Sequence, residues 1–296
     1  MVDLWERSHG AWMHELALGG ITCERSVLEL PEASGRIAHA YFQSATARAC
    51  VLLLHGTGND ALFAWDLWIE RLTQAGYAVL AADIEGHGKF SSTRLSPETF
   101  TFTAAALQRR LAELGWREQQ VIACGYSLGA LFAAKALSDG QLRAAGLITI
   151  ALPRQVKISW DFALAEGLSF VHPVFWRQWW KRGWQLSVPA LGPWRRRSFP
   201  LRLHNFASRS YPQCVAALFR LYAPRALLPR IPCPIFAIYG SRDRLAPLPP
   251  PAERDRGVET LLVAGANHFL LTWYPEGVEG ALRWLERQAA AEASGS

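Results

Sequence analysis

Along most of the chain, short runs of Val, Ile, Leu and Ala alternate with longer stretches in which apolar residues recur every three or four positions. This is the pattern of a sheet with helices packed on it. Residues 21–30 and 36–43 alternate apolar and polar side chains, and residues 31–35 between them predict the turn of an opening antiparallel hairpin. Residues 50–55 form a continuous apolar run suited to a strand buried on both faces; Trp65, Trp68, Ile69 and Leu72 then follow at helical spacing. Residues 77–83 predict the next strand. Ser96 is placed to cap a helix beginning at Pro97, and residues 120–124 predict another buried strand with a helix directly after it. Further strands are expected at 145–151, 234–239 and 258–263, with a closing helix near 278–288 and a frayed tail from Ala289. The class is therefore α/β: a mostly parallel central sheet flanked by helices. No internal repeat is visible.

One stretch breaks the alternation. Between Arg154 and Arg230 stand eleven Arg and two Lys against Asp161 and Glu166, a local balance of +11, which leaves −5 on the remainder of a chain whose formal charge is +6. The stretch also holds six of the thirteen tryptophans. This shift divides the chain into a core, 1–152 with 231–296, and an inserted basic, Trp-rich and mainly helical cap at 153–230. Such a cap would lie over the carboxyl ends of the strands, where α/β proteins bind ligands. Trp176, Trp179, Trp180 and Trp184 are spaced to share one side of a helix, with Arg177, Lys181 and Arg182 nearby. Three uses compete: a surface resting on anionic lipid, an acyl pocket whose Arg recognises a carboxylate or phosphate, or simple packing of cap onto core with solvated arginines.

Composition narrows the function classes. With 50% hydrophobic and 19% charged residues, the chain is neither disordered nor a disulfide miniprotein. Its five cysteines are widely spaced without a C-x-x-C pair, which suits reduced thiols rather than a zinc ribbon or a disulfide framework. No window approaches a membrane span, and residues 1–14 carry Asp3 and Glu6 with no apolar run fit for a signal peptide. A soluble cytoplasmic protein is expected. Arg195, Arg196 and Arg197 form a short charge run, but no nucleic-acid-binding motif accompanies them, so no nucleic-acid partner is expected. Neither a P-loop nor H-E-x-x-H occurs, and neither metal nor cofactor is expected. No obligate protein partner is evident.

The sharpest motif is Gly125-Tyr126-Ser127-Leu128-Gly129, a G-x-S-x-G between an expected strand and the small-residue helix containing Ala130, Ala133 and Ala134. A turn this tight strains the serine backbone and exposes its hydroxyl, while the glycines occupy places where a side chain would collide. A nucleophilic serine needs a base and an orienting acid, expected in the order serine, acid, histidine. His268, in the loop after the 258–263 strand, fits the last position. Asp243, just beyond the 234–239 strand, fits the acid, with Glu253 and Asp255 as nearby alternatives. The oxyanion of an acyl-transfer intermediate needs two backbone donors. Leu128 supplies one by position, and the loop His55-Gly56-Thr57-Gly58 supplies the other, through Thr57 or else Gly56. Residues 56–61 also fit the glycine fingerprint of a dinucleotide fold with Asp83 as its ribose acid, a reading that leaves Ser127, Asp243 and His268 unexplained.

Together, His55-Gly56-Thr57-Gly58, Asp83-Ile84-Glu85-Gly86-His87-Gly88, the Ser127 motif, Asp243 and His268 resemble the α/β-hydrolase superfamily over nearly the whole chain. The H-G-x-G loop, the D-x-x-G-H-G turn and a cap after the sixth strand resemble the monoacylglycerol lipase, lysophospholipase and serine aminopeptidase-like group. Asn59-Asp60-Ala61-Leu62 depart from the Glu-His-Ser run of monoacylglycerol lipases. The resemblance implies a serine-dependent carboxylic ester hydrolase acting through an acyl-enzyme on a small or lipid-like ester. Thioesterase, amidase, acyltransferase or C–C hydrolase chemistry could use the same groups. A noncatalytic ligand- or membrane-binding module on the same scaffold is the alternative from another class. His87 is read as a brace of its turn.

Overall fold

The computed structural model describes residues 14, 16–57, 59–62, 65–88, 95–96, 100, 102–154, 164, 211–251 and 257–295. Eight strands form one sheet: β1 (Thr22–Leu30), β2 (Gly35–Gln43), β3 (Ala49–Leu54), β4 (Tyr77–Ala82), β5 (Val121–Tyr126), β6 (Gly146–Ile150), β7 (Ile235–Gly240) and β8 (Val258–Val263). Their spatial order is β1-β2-β4-β3-β5-β6-β7-β8. β1 pairs antiparallel with β2, and β2 with β4; every pair from β4 through β8 is parallel. The expected opening hairpin is present, turned by a single 3-10 turn over Pro31–Ala33.

The apolar runs of β3, β4 and β5 are continuous because each strand is covered on both faces. Cys50, Leu52 and Leu54 face one core layer, whereas Val51 and Leu53 face the other. The first layer is closed by α2 (Phe102–Glu113), α3 (Leu128–Ser138) and α4 (Tyr211–Tyr222); the second is closed by α1 (Asp66–Gln74) and α5 (Pro275–Gly295). In the second layer Trp65 and Trp68 meet edge to face at 5.7 Å, and the Trp68 indole donates to the Thr272 carbonyl at 3.0 Å. That bond ties α1 to the segment leading into α5. Burial of the Cys50 and Cys124 thiols in the sheet raises their pKa, which keeps both protonated.

The segment 153–230 is described at 153–154, 164 and 211–230. Its tryptophan cluster and most of the expected cap lie outside the described residues. The part that is described joins the core: Val215, Leu218 and Phe219 of α4 share a buried cluster with Leu131 and Phe132 of α3.

Two boundaries differ from expectation. The closing helix runs on through the tail expected to fray, as far as Gly295, since Ala289, Ala290 and Ala291 are strong helix formers. The helix expected from Pro97 is described from Phe102, with Phe100 in a turn before it. Its first turn is held by Glu85, whose Oε1 accepts the Thr103 amide at 2.9 Å, and Pro97 lies outside the described residues. A carboxylate there satisfies one of the amide donors that a helix leaves open at its start.

Glu85 is fully buried, and its Oε2 has no hydrogen-bond partner among the described residues. Burial pushes the carboxyl up to about 7, against the pull of the Thr103 amide. An acid raised on folding lends stability that is complete below the unfolded pKa and is lost as pH rises through the folded one. Wild-type stability relative to Glu85→Gln should therefore fall between about pH 4.5 and 7 and then level off. The total change should be on the order of 3 kcal/mol. Urea denaturation of both proteins across that range checks it; parallel curves would remove Glu85 as the cause.

Candidate active site

The order of the sheet fixes where a site can form. From β3 the chain steps to β4 on one side, then returns to place β5 on the other. The crevice at such a reversal, outside the carboxyl ends of the strands, is where open α/β sheets bind ligands. The loop after β3 carries Gly56 and Thr57, and the turn after β5 carries Ser127.

Ser127 is held at φ 52 and ψ −109 between β5 and α3, a conformation that few side chains adopt. Its amide donates to the Ile150 carbonyl at 2.8 Å, and its own carbonyl accepts the amides of Ala130 and Leu131 at 3.1 Å. The two motif glycines make the turn possible by close approach. A Cβ on Gly129 would lie 2.1 Å from the Leu54 carbonyl oxygen, and one on Gly125 would lie 2.4 Å from the Gly129 oxygen. Helix α3 can thus start directly against the end of β3. Leu128 opens that helix, so its amide is among those without an acceptor inside the helix.

The structure brings Ser127, His268 and Asp243 together. Ser127 Oγ lies 3.0 Å from His268 Nε2, and His268 Nδ1 lies 2.9 Å from Asp243 Oδ2. A carboxylate oxygen can only accept, so Nδ1 carries the proton and Nε2 is left to accept from the serine hydroxyl. All three residues are nearly enclosed, at 5%, 8% and 4% exposure for Ser127, His268 and Asp243. Glu253 and Asp255, the alternative acids, lie outside the described residues.

Asp243 divides its two oxygens between two tasks. Oδ1 accepts the amides of Leu245 and Ala246 at 2.9 and 2.7 Å, which folds its own loop, while Oδ2 faces the imidazole. The loops after β7 and β8 are then stitched together. Ser241 N–H donates to Val263, Arg242 N–H donates to Ala266, both at 2.9 Å, and Gly265 N–H donates to Ser241 Oγ at 2.8 Å. The Tyr274 hydroxyl adds a bond to the Gly265 carbonyl at 3.1 Å.

The loop after β3 is fixed by its carbonyl. Gly56 O accepts from His55 Nδ1 at 2.8 Å and from the Asn59 amide at 3.2 Å. That carbonyl and the Thr57 N–H belong to one planar trans peptide, so two donors on the oxygen turn the Thr57 N–H the opposite way. His55 Nε2 in turn accepts the Ile84 amide at 3.1 Å. Burial drives the His55 pKa well below the usual histidine range, so the ring is neutral in this double role. His87, inside the following turn, donates from Nδ1 to the Glu85 carbonyl at 2.8 Å, and burial lowers it to about 4. It braces the turn, as expected. Asp83, the ribose acid of the dinucleotide reading, is buried and accepts the Ala61 amide at 2.8 Å.

Sequence reasoning passed over Tyr126. Its hydroxyl donates to the His268 carbonyl at 2.7 Å, and its ring lies against Gly56. Among the described residues no group of His, Cys, Asp and Glu is placed to hold a metal ion. Among them, too, no helix is long and apolar enough to cross a membrane.

Comparison with known proteins bears on this geometry. The model of the alpha/beta hydrolase family matches residues 51–281. No curated protein sequence matches. Solved structures with a similar fold include an esterase from Thermogutta terrifontis, 20% identical, with a TM-score of 0.61 over 90% of this chain and 99% of that one. An esterase from Exiguobacterium antarcticum is 18% identical, with a TM-score of 0.62 over 88% and 99% of the two chains. The monoacylglycerol lipase of Paleococcus ferrophilus is 20% identical, with a TM-score of 0.58 over 85% and 99%.

The tight approach at Gly129 yields a stability test. Gly129→Ala drives a methyl into backbone atoms of β3, and should cost about 3 kcal/mol or prevent folding. Gly277→Ala is the control. That glycine lies in α5, where an added Cβ would lie 3.6 Å from Trp68 Cζ2, an ordinary contact. The change there should be neutral or add up to about 1 kcal/mol. Thermal melts that ranked the two variants equally would show that the approach at Gly129 is not limiting.

Proposed function

Because the chain belongs to the alpha/beta hydrolase family, we propose that it is a serine-dependent carboxylic ester hydrolase working through an acyl-enzyme on a small or lipid-like ester. The observation that carries this reading is the unbroken chain of short contacts from Ser127 Oγ through His268 to Asp243 Oδ2. In the first half-reaction His268 Nε2 takes the Ser127 proton as Oγ bonds to the ester carbonyl carbon. The electron pair moves to the carbonyl oxygen, where the amides of Leu128 and Thr57 receive the negative charge. Imidazolium then gives its proton to the departing alcohol as the ester C–O bond breaks. Water enters by the same route in reverse and releases the acid.

Asp243 holds the imidazole in the tautomer that accepts from serine and stabilises the imidazolium. Its other oxygen is committed to the loop amides, which keeps the carboxylate from turning away. The pinned Gly56 carbonyl supports Thr57, rather than Gly56, as the second oxyanion donor. Residues 153–230 complete the proposal as a cap, whose basic, Trp-rich composition suits contact with an anionic lipid surface.

A fluorophosphonate probe should form its adduct on Ser127, located by mass spectrometry, alongside turnover of p-nitrophenyl esters of graded chain length. Ser127→Ala should lose the adduct and roughly a millionfold in kcat. Asp243→Asn should lose about 10,000-fold through the wrong tautomer. Ester hydrolysis undiminished in Ser127→Ala would remove the acyl-enzyme mechanism.

For the cap, binding to vesicles containing anionic lipid should be measurable at low salt and should weaken as salt rises. Failure to bind at low salt would end the lipid-contact part and leave the catalytic part standing.

A further inference from the structure

We propose that Tyr126 is a positioning residue that sets the spacing between the oxyanion loop and the histidine loop; the inference rests on the acyl-enzyme reading above. In the G-x-S-x-G motif the residue before serine has no assigned chemical task. Here it ends β5 and directs its side chain to the face of the sheet opposite α3. The ring is buried and touches both neighbouring loops.

On one side it supports Gly56. A Cβ built there would lie 2.6 Å from Tyr126 Cδ1 and 2.7 Å from Cε1, so the backbone of the oxyanion loop rests on the ring with no room for a methyl. At its far end the hydroxyl donates to the His268 carbonyl at 2.7 Å, with the tyrosine and imidazole ring centres 5.6 Å apart. Along the chain it is bonded directly to Ser127. One rigid side chain therefore spans the places from which nucleophile, base and one oxyanion donor are held.

None of this puts Tyr126 on the reacting atoms. It acts through the Gly56–Thr57 peptide and through the backbone of His268. The hydroxyl is 2.7 Å from a carbonyl belonging to the residue whose imidazole must stay 3.0 Å from Ser127 and 2.9 Å from Asp243. Losing that anchor lets the imidazole drift from both partners, while the binding of substrate is untouched.

The experiment starts from wild-type protein labelled by fluorophosphonate at Ser127. Tyr126→Phe keeps the ring and removes the anchor. It should fold, keep its KM on a p-nitrophenyl ester, and lose about tenfold in kcat and in labelling rate, the worth of one buried hydrogen bond. The acid limb of its kcat profile should move to lower pH, because the imidazolium loses part of its pairing with Asp243.

A second pair of variants tests the other contact. Gly56→Ala crowds the ring in a wild-type background. In Tyr126→Leu, where the ring is gone, the same change should cost markedly less, a non-additivity expected only of groups in contact. A Tyr126→Phe enzyme with wild-type kcat, labelling rate and pH profile would overturn the proposal, as would strict additivity of Gly56→Ala with Tyr126→Leu. Absence of label on wild-type Ser127 is a different failure, since it would overturn the acyl-enzyme reading itself and this inference with it.

Discussion

The first turn of α3 must come within contact distance of the backbone at the end of β3, and most of the site follows from that. With the Gly129 Cβ position only 2.1 Å from Leu54 O, helix and strand share a boundary that admits glycine and nothing larger. The chain can meet this demand only by turning sharply at Ser127, which takes up a positive φ and is held there by the Ile150 carbonyl. An open helix start, the serine hydroxyl and the end of β3 are thereby gathered at the reversal of strand order. Strain of this kind costs on the order of 1–3 kcal/mol per residue and persists only where the surroundings over-determine it. Here the sheet does so.

The other half of the site is assembled differently. Asp243 and His268 lie on loops beyond the strand ends, where regular pairing no longer fixes position. Hydrogen bonds from Ser241, Arg242 and Gly265 replace the ladder, and one carboxylate serves both its own loop and the imidazole. Rigidity that β5 and α3 obtain from packing is obtained in these loops from hydrogen bonds within and between them, some buried and some at the surface. The hydroxyls of Tyr126 and Tyr274 extend that network to the histidine loop from two directions.

Much of this was legible before any coordinates. The period-two and continuous apolar runs located all eight strands, because burial on one face or two writes itself directly into residue order. Ser127, Asp243 and His268 could be singled out because each follows a recognisable strand, and the structure brings the three together. Ser96 and Pro97 form a local capping signal, whereas the bond from Glu85 on a preceding turn to the first turn of α2 has none, because no local pattern encodes a partner delivered by tertiary folding. Tyr126 was invisible for the same reason. Its position in the motif admits many residues, and its two contacts are with loops far away in sequence. The insertion could be recognised by charge and tryptophan content, yet composition alone does not say which of its three uses applies.

The contact between Ser127 and His268 joins residues 141 positions apart, and the strands that carry the two are separated in the sheet by β6 and β7. Closing so long a loop is entropically costly and belongs among the slow, non-local steps of folding. A nascent chain ending before β8 already contains the turn at Ser127 but has nothing at position 268 to meet it. The contact is thus a late event in the molecule's own history, absent until the final parallel strand has docked.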